Sequence, residues 1–195
     1  MAYLRISEAR AAARAGLTPL RKSAGRVLTE EARAAPASKA YDVFLSHSYE
    51  DAELIYGVKK LIEDLGLTVY VDWIEDAELD RSKVTTATAA VLRVRMRSCS
   101  SLVYAHSSNS PKSKWMPWEL GYFDGFKPMQ VWILPLVASS DGEFDNQEYL
   151  GLYPPVEKLG SIGGRQNLGF EGIGRLREDV PLTKAARGYG VFFKG

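Results

Sequence analysis

One cysteine and two histidines in 195 residues leave little from which to build a disulfide or a metal site. Cys99 has no second cysteine for an intrachain bridge, so nothing calls for an oxidising compartment. His47, His106 and Cys99 also lack the tight spacing of a structural zinc site. No stretch approaches the ~18 consecutive apolar residues of a membrane span. A dominant charge is missing too: the net charge is +1, where a nucleic-acid-binding domain is usually strongly basic. The start is rich in Arg and Ala but has no apolar leader segment. Glu30 and Glu31 interrupt the acid-poor pattern of an organelle transit peptide. The expected location is the cytoplasm, with neither nucleic acid nor membrane among the partners. Catalytic signatures are sparse as well. There is no Gly-x-Gly-x-x-Gly after the first strand and no Walker-type phosphate loop. No Gly-x-Ser-x-Gly elbow marks a serine hydrolase. Cys99, inside an apolar run, reads as a small core residue.

What is present is an ordinary globular composition, 46% hydrophobic and 25% charged, in a chain long enough for about one domain with some extra. Residues 1–40 read as a helical, basic N-terminal arm and linker. Ser7 is placed to cap a short helix that stops at Gly16, and Thr18-Pro19 to open a second that runs to about Ala32. The arm has eight basic residues against Glu8, Glu30 and Glu31, a net +5 that leaves about −4 for the rest. Packing on its own domain, holding subunits together and touching an acidic partner are all open to it. Ala34 to Ala40 reads as the linker.

Regular alternation begins at Tyr41, and residues 41–195 form the main domain. Asp42–Ser46 is a short apolar strand. Ser48 and Asp51 match a capping-box start. Leu54, Ile55, Val58, Leu61, Ile62 and Leu65 follow at helical spacing, with Gly66 where a terminating glycine belongs. Leu67–Asp72 is a second strand, so the unit is βαβ and the sheet parallel. Trp73 to Asp80 reads as a long loop with an exposed Trp. Val84, Ala87, Val91 and Val94 give a further helix, and Ser101–Ala105 a third strand. His106–Lys114 is a polar loop. Gln130–Val137 is an apolar central strand, with Pro135 expected near its end. Ser139 to Gln147 is an acidic loop. Beyond it the spacing allows a fifth strand near Leu168 and a short helix over Arg175–Arg187. The expected fold is a flavodoxin-like, doubly wound parallel α/β sheet, whose ligands bind outside the carboxyl ends of the strands.

Ser113–Gly125 stands out. At 100° per residue, Trp115, Trp118, Glu119, Tyr122, Phe123 and Phe126 share one face with Glu119 near its middle. Pro117 places Glu119 in the first helical turn. Burial there opposes a charged carboxylate, while the helix N-terminus favours it. This helix starts just after the third strand, so Glu119 lies on the ligand-binding rim. A lone carboxylate, stacking aromatics and short polar groups at strand ends suit cleavage of a glycosidic bond to a good leaving group. The transition state is oxocarbenium-like, and a fixed carboxylate stabilises it. A leaving group that is already cationic, such as the nicotinamide of NAD, needs no general acid.

Three motifs in order carry a family resemblance. Tyr41-Asp-Val-Phe-Leu-Ser-His-Ser48 resembles the opening strand of Toll/interleukin-receptor (TIR) domains. Val69-Tyr-Val-Asp-Trp73 with Leu79-Asp-Arg-Ser82, and Ser113-Lys-Trp-Met-Pro-Trp-Glu-Leu-Gly121, resemble the bacterial branch. The likeness covers about Tyr41 to Pro155. It implies the flavodoxin-like TIR fold, with Trp73–Ser82 at the BB-loop position. It implies an NAD glycohydrolase, in which NAD is substrate and no cofactor is needed. Glu119, closing Trp115-Met-Pro-Trp-Glu119, is then the catalytic residue, and Trp115 lines the nicotinamide-ribose pocket. Ser46, His47 and Ser48 approach the dinucleotide. Trp73, Asp80 and Arg81 join the substrate-binding set. Some relatives carry arginines just after the first strand, where Ser48 and Tyr49 stand here, and Arg81 or Lys114 is left to meet the phosphates. The resemblance further implies homo-oligomers or filaments through TIR–TIR contacts and the BB loop, a role in antiphage defence, and an effector that senses a nucleotide product. A non-catalytic TIR adaptor is the alternative, and an unrelated flavodoxin-like nucleotide-binding module a third reading.

Overall fold

The computed structural model describes residues 3–36, 38–73, 85–139, 148–162, 165–170, 180–182 and 186. A strand joins its neighbours when its alternate side chains find cover on both faces, and that condition orders this chain. The elements are β1 (Leu4–Arg5), α1 (Ile6–Leu17), α2 (Ala24–Ala34), β2 (Tyr41–Ser46) and α3 (Ala52–Asp64). Next come β3 (Val69–Tyr70), α4 (Thr86–Arg97), β4 (Cys99–His106), α5 (Met116–Phe126) and β5 (Val131–Val137). β1 to β5 form one all-parallel sheet in the order β1-β5-β4-β2-β3. A small antiparallel sheet of β6 (Glu157–Ile162), β7 (Arg165–Phe170) and β8 (Val180–Pro181) follows. The flavodoxin-like α/β arrangement expected of a TIR fold is therefore present.

Period-two alternation divides the core. Val43, Leu45, Val69, Val71, Val103 and Leu134 face α1 and α3. Phe44, Tyr70, Leu102, Tyr104 and Ile133 face α4 and α5. Gly66 ends α3 with φ +83, a left-handed conformation that a side chain would strain. Pro135 is the last residue of β5 in register with β4, opposite His106, and the strand continues only against β1. Cys99 is buried in the α5-side core, and burial pushes its thiol up to about 12. Among the described residues no helix is long and apolar enough to cross a membrane.

The N-terminal segment packs on its own domain, one of the outcomes its sequence left open, and its element bounds differ from the sequence reading. Leu4–Arg5 is an edge strand paired to β5, with Leu4 opposite Leu136. Helix α1 is capped at Arg5 and not at Ser7: the Glu8 carboxylate accepts the Arg5 backbone N–H at 2.9 Å. Helix α2 starts after Ser23, whose hydroxyl accepts the Arg26 N–H, so Thr18-Pro19 lies in the turn before it. The linker is fastened by Arg95, which donates to the carbonyls of Pro36 and Ala35 at 2.8 and 2.9 Å.

Glu8 binds the segment to the second sheet, accepting from Lys158 at 2.9 and 3.0 Å as well as from Arg5. Partial burial pushes its carboxyl up, but the bonds from Arg5 and Lys158 outweigh this and hold it at about 2 against an ordinary 4.5. A depressed carboxyl contributes stability above its ordinary value and loses it as pH falls through the folded value. Glu8→Gln is therefore expected to melt below the wild type at pH 7. The gap should close between about pH 4.5 and 2 in thermal melts recorded across that range.

Helix α4 lies where the spacing placed it, and the residues that marked it point outward: Ala87, Val91 and Val94 are exposed, while Thr88, Ala89, Leu92 and Met96 are buried. Both sets repeat at helical spacing, and periodicity does not say which one a neighbouring sheet will cover. In the C-terminal part, β7 supplies the strand expected near Leu168, but Val180–Pro181 is a strand inside the span read as a helix. Pairing with β7 holds those two residues extended. Within the Arg175–Arg187 span Leu182 and Ala186 are helical, while the rest of it, together with Val84, Asp80, Arg81, most of the BB-loop span and most of the acidic loop, lies outside the described residues.

Candidate active site

Glu119 is placed by its helix's first turn. Trp115 occupies the N-cap position, Pro117 sits in the first turn, and the Glu119 N–H donates to the Trp115 carbonyl at 2.8 Å. The carboxylate is only 2% exposed and points at the end of β2. There the Ser46 hydroxyl donates to its Oε2 at 2.6 Å, across 73 residues of sequence. That length is typical of a hydroxyl donating to a carboxylate. Ser46 is wholly buried, so the bond is shielded from bulk water.

Tyr104 completes the environment and was missed by the sequence reading. It stands opposite Ser46 in the β2–β4 register and faces the same side of the sheet. Burial pushes its phenol up, and Tyr149 and the Glu119 carboxylate add to that. Tyr104 is therefore a neutral O–H group beside the carboxylate at neutral pH. The signal was available: both residues lie at the carboxyl ends of adjacent strands, at positions of matching parity.

The aromatic ring expected around Glu119 divides. Trp115 is buried and meets Trp118 edge-on, with centroids 5.4 Å apart. Trp118, Tyr122 and Phe126 form a half-buried ladder of their own, with Arg93 over the first two rings at 5.3 and 5.7 Å. The buried stripe of α5 is Met116, Glu119, Leu120 and Phe123. Positions three and four apart diverge around the helix enough for α4 to claim one set and the sheet the other.

Ser46, His47 and Ser48 do not act as one group either. Successive strand residues point to opposite faces, so Ser46 turns toward α5 and His47 toward α3. His47 is buried, with Nδ1 2.8 Å from the Leu45 carbonyl, and it stacks on Trp73. Ser48 caps the short 3-10 turn Tyr49–Asp51, accepting the Glu50 N–H at 3.4 Å. The capping box read at Ser48 and Asp51 is thus replaced by that turn, and α3 begins only at Ala52. Trp73 is not exposed as expected: it is 2% accessible, between His47 at 5.1 Å and Tyr49 at 4.8 Å. Lys114 is exposed beside Trp115.

Asp51, read from the sequence only as part of a capping box, ties the two loops of the rim together. Its carboxylate accepts from the Ser107 hydroxyl at 2.5 Å and from Asn109 Nδ2 at 2.7 Å. Lys112 bridges the same loops, donating to Glu50 at 3.2 Å and Asn109 at 3.1 Å. The loop that follows Ser46 and the loop that leads to Glu119 are so held in one relative position.

The site is a buried carboxylate fixed at the carboxyl rim of a parallel, doubly covered sheet, the arrangement of a flavodoxin-like α/β protein. No family model matches the chain. It is 56% identical over 146 residues to "Probable 3' cyclic ADP-D-ribose synthase ThsB'" of Bacillus cereus (strain MSX-D12), covering 74% of this chain and 75% of that relative. It is 38% identical over 85 residues to "Putative cyclic ADP-D-ribose synthase TIR2" of Cytobacillus dafuensis, covering 43% of this chain and 22% of that one. The chain belongs to the bacterial TIR-domain proteins, in the NAD-processing branch.

Proposed function

We propose that the chain breaks the nicotinamide–ribose bond of NAD, with Glu119 as catalytic carboxylate, and that its product includes a cyclic ADP-ribose. The bond from Ser46 to Glu119 carries this reading. Departure of neutral nicotinamide leaves positive charge on the ribose ring, and an oriented carboxylate stabilises that charge with little reorganisation. Ser46 keeps one carboxylate oxygen in place, and Trp115 stands at the N-cap of the helix that carries Glu119. An adaptor working only through surface contacts has no use for a buried, hydrogen-bonded glutamate at the rim.

The cyclic product is supported by the names of the two relatives. A soluble nucleotide product fits a cytoplasmic defence response that ends on a separate effector. Incubating the purified chain with NAD at high protein concentration tests the reading. Nicotinamide is expected in equal amount to products with the masses of ADP-ribose and of ADP-ribose less one water. Absence of nicotinamide release would overturn it.

Assembly into homo-oligomers belongs to the same reading, and α4 offers a face for it. Ala87, Val91 and Val94 form an exposed apolar stripe on the helix that directly follows the BB-loop span. The double variant Val91→Lys, Val94→Lys is expected to lower the scattering mass of the concentrated protein without lowering its melting temperature. An unchanged mass would remove this face from the assembly.

A further inference from the structure

The end of β2 has two chemically different sides. Toward α5 lie Ser46, Glu119 and Trp115. Toward α3 lies a stack of three rings, His47, Trp73 and Tyr49, with interplanar angles of 11° and 18° at Trp73. The inner two rings are core, at 4% and 2% exposure, but Tyr49 is 44% exposed. Covering Trp73 would take any apolar side chain. A flat ring laid parallel on the indole and reaching into solvent at the ligand rim adds something else, a face for stacking a planar ligand. Ser46 and His47 are adjacent, and Tyr49 is three residues from Ser46, so the ring's backbone lies within roughly 10 Å of the serine that holds Glu119.

A cyclic product places a second demand on the site. The bond from the anomeric carbon to the nicotinamide nitrogen breaks, and its electron pair leaves with nicotinamide. In hydrolysis, a water oxygen then forms the new bond to that carbon and gives up a proton to solvent. In cyclisation, a hydroxyl or ring nitrogen of the adenosine half forms the bond, a hydroxyl giving its proton to the Glu119 carboxylate or to solvent. The adenosine half must therefore be folded back toward Glu119 when nicotinamide leaves. We propose that Tyr49 is the platform on which the adenine ring of folded-back NAD stacks, and that it sets the partition between cyclic and linear ADP-ribose. This rests on the NAD-cleaving reading given above.

The test compares the full-length wild type with Tyr49→Ala, Tyr49→Leu and Tyr49→Phe. KM, kcat and the cyclic-to-linear ratio are measured by mass spectrometry, ADP-ribose binding by calorimetry, and folding by thermal melts. Base–aromatic stacking of ordinary strength corresponds to about a tenfold effect. Tyr49→Ala is expected to raise KM for NAD about tenfold, weaken ADP-ribose binding similarly, and lower the cyclic-to-linear ratio about tenfold. Tyr49→Leu, which keeps an apolar cover on Trp73, should behave like Tyr49→Ala and replaces it if the smaller residue unfolds the protein. Tyr49→Phe should stay within about twofold of wild type, since the ring face remains. A folded Tyr49→Ala or Tyr49→Leu with an unchanged ratio and KM would overturn the proposal. So would a Tyr49→Phe defect as large as theirs, or a wild type that makes only linear product. If the wild type consumes no NAD, the enzyme reading fails and calorimetry decides the platform: loss of ADP-ribose binding in the folded variants supports it, and unchanged binding overturns it.

Discussion

Glu119→Gln is expected to slow nicotinamide release from NAD by about 10²–10³-fold, the usual cost of removing one electrostatic partner from a transition state. The substitution keeps the side-chain shape, and its amide oxygen can still accept from Ser46, so the negative charge is what disappears. Because that charge acts mainly when positive charge develops on the ribose, kcat should fall far more than KM rises. Ser46→Ala should cost less, on the order of tenfold, because the carboxylate remains and loses only the group that orients it. Initial rates of nicotinamide release, with melting temperatures as a folding control, check both. Turnover in Glu119→Gln comparable to wild type would sink the mechanism, since no other described carboxylate is placed against the Ser46 hydroxyl.

The ordering of these two effects also explains which parts of the site were legible. Glu119 and Ser46 were readable because each sits at an element end that local chemistry marks: Pro117 fixes the first turn of α5, and the apolar run of β2 stops at Ser46. The bond between them was not readable, since it spans 73 residues and depends on the order of strands in the sheet. Trp73 looked exposed because its acidic, aperiodic neighbours look like a surface loop. Its enclosure comes from His47 and Tyr49, two residues of a different strand end. Asp51 resembled a helix cap from its spacing to Ser48, yet its carboxylate serves the distant Ser107 and Asn109. The covered face of α4 was not readable for a related reason, since a helix with two apolar sets needs its neighbours to decide which is covered. Local signals located β2 to β5 but not the edge strand β1, and the partner of each polar group was decided by tertiary contact.

Gly57→Ala is expected to destabilise the fold, although alanine is the better helix former by about 1 kcal/mol. Gly57 lies in the middle of α3, where the helical period of Leu54, Ile55 and Val58 drew attention to the apolar residues around it. Its significance is steric: a Cβ built there would lie 1.8 Å from the Ala9 carbonyl oxygen and 2.6 Å from its carbon. Those are backbone atoms of α1 and no rotamer change removes them, so the two helices must separate. Separation loosens the buried contact of Ala9 and Ala13 with α3 and strains the β1–β5 pairing next to it. Overpacking of this kind costs about 3 kcal/mol at the upper end of its usual range. Set against the propensity gain, a net loss of about 2 kcal/mol remains, a drop in Tm of roughly 4–8 °C for a chain of this size. Gly121→Ala is the control. Gly121 is an exposed helical glycine in α5 with nothing within 4 Å of an added Cβ. The same change there should raise stability by about 0.4–1 kcal/mol. Opposite signs for one substitution at two helical glycines would show that α1 is seated against α3 as part of the domain. Equal stabilisation at both positions would mean that residues 3–34 detach at little cost, and that the N-terminal segment is an arm after all.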